Sequence, residues 1–224
     1  MDYKKEVDID ARVPSILSAL EKAKLTPEFR GSEIVQLNTF RKATLKDIQS
    51  VHYSNYLSIL KTAVEKVETS ELRYPSTMKE FEEVIATSYE DSLVAVGSGL
   101  SLVDFVVAAS KVNENCPVGF ALVSPPRHHI RLHESKGCCY FENAGIAARY
   151  AQRVHGLNRV LIIDFDVHFL LRTNQAFYDD PDIFVLSTHW AKLQFKTWNP
   201  EIKVVFRTLR VRIFSTLGVL FHFE

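Results

Sequence analysis

The run Arg159-Val-Leu-Ile-Ile163, leading straight into Asp164-Phe-Asp-Val-His168, constrains this chain more than any other stretch. A short apolar run rich in Val and Ile reads as a buried parallel strand. Side chains alternate between the two faces of a strand, so Asp164, Asp166 and His168 are expected on one side. They sit at the strand's carboxyl end, which is where open α/β sheets bind ligands. A lone Asp there would read as a cap for the next helix. Two carboxylates and an imidazole on one face instead suit a divalent metal such as zinc.

The flanking sequence supplies the rest of an α/β pattern. Residues 11–24 carry apolar positions at helical spacing, with Pro14 near the start. Thr44-Leu-Lys-Asp47 has the form of a capping box opening a short helix, and 51–67 continue helical periodicity. Residues 69–80 are polar and contain Pro75, which predicts a surface loop. Residues 91–110 are small and apolar and predict a tightly packed helix, with Gly97 and Gly99 permitting close approach. Strands are expected at 118–123, 159–167 and 183–187, with an Ala-rich helix over 143–155. Strands alternating with helices imply a parallel α/β sheet flanked by helices.

Composition narrows the partners. Lys+Arg and Asp+Glu are balanced at 27 each, so the chain lacks the basic footprint of a nucleic-acid binder. The 224 residues, 46% of them hydrophobic, suffice for one sizeable core. No apolar run is expected to reach the roughly 18 residues that cross a bilayer; the longest candidate, 213–223, is too short. Three cysteines, Cys116, Cys138 and Cys139, without a C-x-x-C, fit a reducing intracellular setting. Nucleus or cytoplasm is the expected compartment, with an organelle left open. The first ten residues read as neither a signal peptide nor a transit peptide. Nothing here fixes the oligomeric state.

A second reactive group follows the expected strand at 118–123. Ser124-Pro-Pro-Arg-His-His129 sets two adjacent histidines beyond a strand end, on a turn stiffened by two prolines. Tandem imidazoles titrate near neutrality and can act as general base and general acid. A pair of surface loop histidines is the other reading. Convergence with D-x-D-x-H on one sheet edge favours the chemical one.

Together these motifs carry a family resemblance. Pro125-Pro-x-His-His129, Gly137-x-Cys-x-Phe-x-Asn143, Ile162-Ile-Asp-Phe-Asp-Val-His168, Phe177-Tyr-x-Asp-Pro181 and Leu186-Ser-Thr-His189 resemble the zinc-dependent histone deacetylases. Their order and spacing resemble the arginase–deacetylase fold, here in incomplete form. Within that family the chain is most similar to plant class II-type enzymes related to bacterial acetylpolyamine amidohydrolases. Arg30-Gly-Ser-Glu-Ile-Val and Val51-His-x-x-x-Tyr56 fit the family's amino-terminal region, and the likeness spans about residues 8–190.

The resemblance implies a set of roles. Asp166 and His168 would be zinc ligands, and His128 and His129 the paired acid/base histidines. The Gly137 carbonyl would hold the substrate amide, and Cys138 stands where the family usually lines its substrate tunnel with Phe. Asp164, Ser187 and Thr188 would surround a monovalent cation, usually potassium. The implied substrate is an acetylated protein, histone tail or other acetyl-lysine, or a small acetyl-amine.

The chain also departs from the family pattern. Residues 190–224 hold neither an Asp for a third zinc ligand nor a Tyr for the oxyanion. Phe169-Leu-Leu-Arg172 replaces a glycine-rich run, and Arg127 replaces the usual Gly before the histidines. The expected organisation is a partial deacetylase domain over 1–190 and a divergent apolar, basic tail over 191–224. A truncated member of impaired activity is the expectation, with a catalytically inactive interaction protein as the alternative.

Overall fold

The computed structural model describes residues 9–68, 86–112, 117–123, 140–164 and 171–187. The loop expected at 69–80 and the tail at 191–224 lie outside them. Among the described residues seven helices and two strands follow in order: α1 (Ile9–Lys22), α2 (Pro27–Arg30), α3 (Leu45–Ile48), α4 (Ser54–Glu68), α5 (Ala86–Ser110), α6 (Asn143–His155), β1 (Val160–Asp164), α7 (Leu171–Phe177) and β2 (Ile183–Ser187). A 3₁₀ turn, Gly31–Glu33, follows α2.

The strands pair in parallel, with Val160 beside Ile183 and Asp164 beside Ser187. A parallel pair needs a crossover, and α7 supplies it. Ala148 of α6, Phe177 of α7 and Val160, Ile162 and Ile183 of the strands form one small core. The larger core lies between α4, α5 and α6, around Tyr56, Leu60, Val96, Leu100, Val103 and Ile146.

Helix α3 starts with the expected capping box. The Thr44 hydroxyl accepts the Asp47 N–H, while the Asp47 carboxylate accepts the Thr44 N–H at 2.8 Å. Two orphan donors of the first turn are thereby satisfied. Helix α6 ends at Gly156, whose φ of +71° is the left-handed conformation that closes a helix and favours glycine.

Four expectations change. Residues 118–123 form no strand: Val118 and Phe120 are 58% and 47% exposed, and the segment has no ladder partner among the described residues. Apolar content alone does not make a strand without a neighbour to pair with. Gly97 is a close-approach site, since a Cβ there would sit 1.8 Å from the Arg41 carbonyl oxygen, but Gly99 faces open space. Helix α4 begins at Ser54, so Val51 and His52 lie in the turn before it. Finally, Tyr89–Ser110 of α5 is 22 residues long, long and apolar enough by composition to cross a bilayer. It serves here as a core helix, with Val96, Leu100, Val103 and Val107 buried in the larger core.

Candidate active site and its anchors

Asp164 and Ser187 are the last residues of their strands and lie side by side in the ladder. Neighbouring strands run about 4.8 Å apart, so two oxygen-bearing side chains leave the sheet at one level. Alternation puts Asp164 on the face of Val160 and Ile162, which packs on Ala148 and Phe177. Asp164 itself is half-buried. The expected ligands Asp166 and His168 follow Asp164 by two and four residues, within about 7 Å and 14 Å of chain. Thr188 follows Ser187 directly. Asp166, His168 and Thr188, like His128, His129, Gly137 and Cys138, lie outside the described residues. Among the described residues no three His, Cys, Asp or Glu side chains gather as a metal site. By residue type the donors match the expected ions, with zinc one ligand short of the usual three. Carboxylate and hydroxyl oxygens at Asp164 and Ser187 suit a hard cation, and the next Asp and His suit zinc.

The chain returns from the Gly137 region at Tyr140, and there the structure shows residues whose role the sequence did not disclose. Tyr140, Phe141 and Glu142 are all buried. His52 Nε2 accepts the Glu142 N–H at 2.8 Å, and the Tyr56 hydroxyl donates to the Tyr140 carbonyl at 2.7 Å. An Nε2 that accepts from an amide is the neutral tautomer protonated on Nδ1. The His52 ring stacks on Tyr56 with centroids 5.3 Å apart and meets Phe141 edge-on at 5.9 Å. Val51-His-x-x-x-Tyr56 is thus a clamp on the 140–142 backbone. One turn later, Gly145 lets α6 approach Phe177, whose ring carbons would lie 2.8–2.9 Å from an added Cβ.

A polar network braces this scaffold. Arg41 donates to Asp47 Oδ2 at 2.7 Å and lies over the Tyr150 ring at 5.4 Å. Burial pushes the Asp47 carboxyl up, but the hydrogen bonds from Arg41 and Thr44 outweigh it and hold the group below its ordinary value. Asp104 of α5 accepts the Tyr150 hydroxyl at 3.0 Å and contacts His155 Nε2 at 2.7 Å, tying α5 to α6. Burial first, then the Asp104 charge and hydrogen bond, push the Tyr150 phenol up against the opposing pull of Arg41.

Residues 7–198 match the histone deacetylase domain family. The chain belongs to the histone deacetylase family. Its fold is accordingly the arginase–deacetylase α/β fold. The chain is 48% identical over 182 residues to histone deacetylase 14, chloroplastic, of Arabidopsis thaliana, covering 81% of this chain and 43% of that protein. It is 45% identical over 192 residues to histone deacetylase 10, chloroplastic, of Oryza sativa subsp. japonica, covering 84% of this chain and 43% of that protein. Human polyamine deacetylase HDAC10 is 33% identical over 149 residues, 66% of this chain and 21% of that protein. The crystal structure of the HDA15 HD domain superposes with a TM-score of 0.63 at 27% identity, over 80% of this chain and 46% of that one. This deacetylase-family chain therefore spans less than half the length of its plant relatives.

These relatives correct one expectation. Nucleus or cytoplasm is overturned as the expected compartment, because both plant relatives are named chloroplastic. A low cysteine count reports on redox state and carries no address.

Proposed function

We propose that this chain carries a zinc-dependent deacetylase site at the carboxyl ends of β1 and β2. The observation that carries the reading is the in-register pairing of Asp164 with Ser187, the first followed within four residues by Asp166 and His168 and the second directly by Thr188. Asp166 and His168 would hold zinc. Asp164, Ser187 and Thr188 would surround a monovalent cation, usually potassium, that stiffens the strand ends. When bound, zinc supplies Lewis acidity toward the acetyl carbonyl and its attacking water. Of the tandem histidines His128 and His129, one imidazole takes the proton of the water and the other delivers a proton to the leaving amine. The Gly137 carbonyl accepts the N–H of the substrate amide, and Cys138 lines the approach. The substrate class is an acetylated amine: acetyl-lysine of a histone or other protein, or a small acetyl-amine. The names of the two plant relatives support a plastid address, and the polyamine deacetylase relatives keep small amines in the class.

Turnover by this 224-residue chain is low in this reading. A catalytic zinc normally takes three protein ligands, and residues 190–224 offer no Asp for the third. They offer no Tyr for the oxyanion either, and loss of one such donor costs roughly 10²–10³ in rate.

The second reading is a catalytically inactive interaction protein. It is favoured by Phe184 and Leu186, which stand 53% and 43% exposed on the outer face of β2. Exposed apolar side chains grouped on one strand mark an interface.

Metal content of the purified chain, measured by mass spectrometry beside Asp166→Ala, separates the two. Bound zinc that the substitution removes supports the deacetylase site. Substoichiometric zinc, the same in both proteins, overturns it and favours the interaction protein.

A further inference from the structure

We infer that Arg149 and Asp180 are positioning residues, which set the register of β2 against β1 and so hold Ser187 level with Asp164. The inference deepens the deacetylase reading and rests on Asp164 and Ser187 holding a monovalent cation between them.

The strands themselves encode their register weakly. Residues 160–163 of β1 and 183–186 of β2 are apolar at every position, so the alternation that ordinarily locks one strand against another is missing. A slip of two residues would keep each side chain on its own face, set Val185 beside Asp164, and carry Ser187 about 6.6 Å out of level. Something outside the ladder must therefore favour the observed pairing. Asp180 does so from the amino end of β2. Its Oδ1 accepts the Asp182 N–H at 2.8 Å and the Ile183 N–H at 3.1 Å, and the Asp182 carbonyl accepts the Val160 N–H at 2.8 Å, next to the first paired residues. Its Oδ2 pairs with Arg149 of α6, and the guanidinium lies over the Phe177 ring at the end of α7. Both charges are mostly withdrawn from water, so salt screens the pair less than a surface one. Helix α6 is itself fixed to β1, because Ala148, the neighbour of Arg149, packs with Val160 and Ile162. Arg149 thus refers the start of β2 to the same helix that carries β1. A chain that kept this register only about a tenth of the time would present the Asp164–Ser187 pair equally rarely, and its apparent affinity for a cation there would fall roughly tenfold.

The test uses the full chain in potassium chloride or choline chloride at equal ionic strength. Thermal melts give the potassium concentration that produces half of the stabilisation. Cross-strand NMR contacts on isotope-labelled protein report whether Asp164 lies beside Ser187 or beside Val185. Arg149→Met removes the charge but keeps a stem over the Phe177 ring; Asp180→Asn keeps an acceptor for both backbone N–H groups; Arg149→Lys keeps the charge. Potassium is expected to raise the melting temperature of the unaltered chain and not that of Asp164→Ala. Arg149→Met and Asp180→Asn are expected to raise the half-effect concentration roughly tenfold each and to show the Val185 contact beside the Ser187 one. Arg149→Lys is expected to restore most of both. Should Asp180→Asn fail to fold, Arg149→Met decides. An unchanged half-effect concentration in these variants overturns the inference, even where they melt lower in choline, because the pair would then be merely structural. A raised concentration with the register intact overturns it too. If potassium does not stabilise the unaltered chain, or stabilises Asp164→Ala as well, the cation reading fails and positioning for a cation fails with it. The NMR contacts then still distinguish a register pin from none.

Discussion

Arg149 of α6 forms an ion pair with Asp180, the residue three positions before β2, and does so between side chains only 29% and 13% exposed. The same Asp180 accepts the Asp182 N–H at 2.8 Å and the Ile183 N–H at 3.1 Å through Oδ1. The guanidinium also lies over the Phe177 ring at 5.1 Å. One carboxylate thus fixes where β2 begins relative to α6, and with it the height at which Ser187 ends. Asp180→Ala is expected to lower stability by about 2–3 kcal/mol, the scale for losing partly buried hydrogen bonds to a charged group. Arg149→Ala should cost less, because the two backbone bonds survive. Urea midpoints of the two variants check the order, and equal losses would sink it.

Gly97 and Gly99 should respond oppositely to alanine. At Gly97 the new methyl meets the Arg41 carbonyl oxygen and the Ala43 nitrogen, both backbone atoms that cannot swing aside. Gly97→Ala is expected to destabilise by about 2–3 kcal/mol or more. At Gly99 the methyl enters open space inside a helix, where alanine is favoured by about 0.5–1 kcal/mol. Thermal melts of the pair decide; two changes of the same sign would mean the 41–43 segment does not sit on α5 as described.

Stability should fall below about pH 4 in a way that depends on Asp47. Its carboxyl is held below the ordinary 3.8 by Arg41 and Thr44 despite burial. A depressed carboxylate contributes fully above its unfolded value, and the contribution disappears as pH drops through the lower folded value. Asp47→Asn should therefore be less stable than the unaltered chain at pH 5–6, and the gap should narrow toward pH 3. A gap that stays constant over this range would show that the Asp47 charge is not what matters.

Acetyl-lysine peptide hydrolysis by the zinc-loaded chain should be slow. The expected deficit is at least roughly 10² relative to a family enzyme with its oxyanion donor. Brisk hydrolysis that His129→Ala abolishes would show that the chain draws its third ligand and oxyanion donor from elsewhere.

Several elements could be read directly from the sequence. Helix α6 and strand β2 lie where local pattern puts them, and the Thr44–Asp47 box caps α3 as its spacing predicts. Each is decided by residues close together in the chain: Ala-rich periodicity, a five-residue apolar run, a reciprocal pair three apart. The failures are non-local. Residues 118–123 resemble β1 in composition but have no strand to lie beside among the described residues. Gly97 and Gly99 look alike until the Arg41 backbone is known to cross one and not the other. The motif Val51-His-x-x-x-Tyr56 marks the family, yet its work is done on residues 84 and 90 positions away. Of the candidate site, Asp164 and Ser187 were legible as oxygen-bearing residues at strand ends, whereas the bonds of His52 and Tyr56 to residues 140–142 required the folded chain.

The register of β1 against β2 has an evolutionary corollary. Asp164 and Ser187 are brought level by main-chain bonding, which is blind to the side chains between Val160 and Ile163 or between Ile183 and Leu186. Aliphatic residues in those interiors are free to drift among one another without moving either donor atom. Selection on the site should thus fall on the strand ends and on Asp180, and leave the strands themselves loosely constrained in identity.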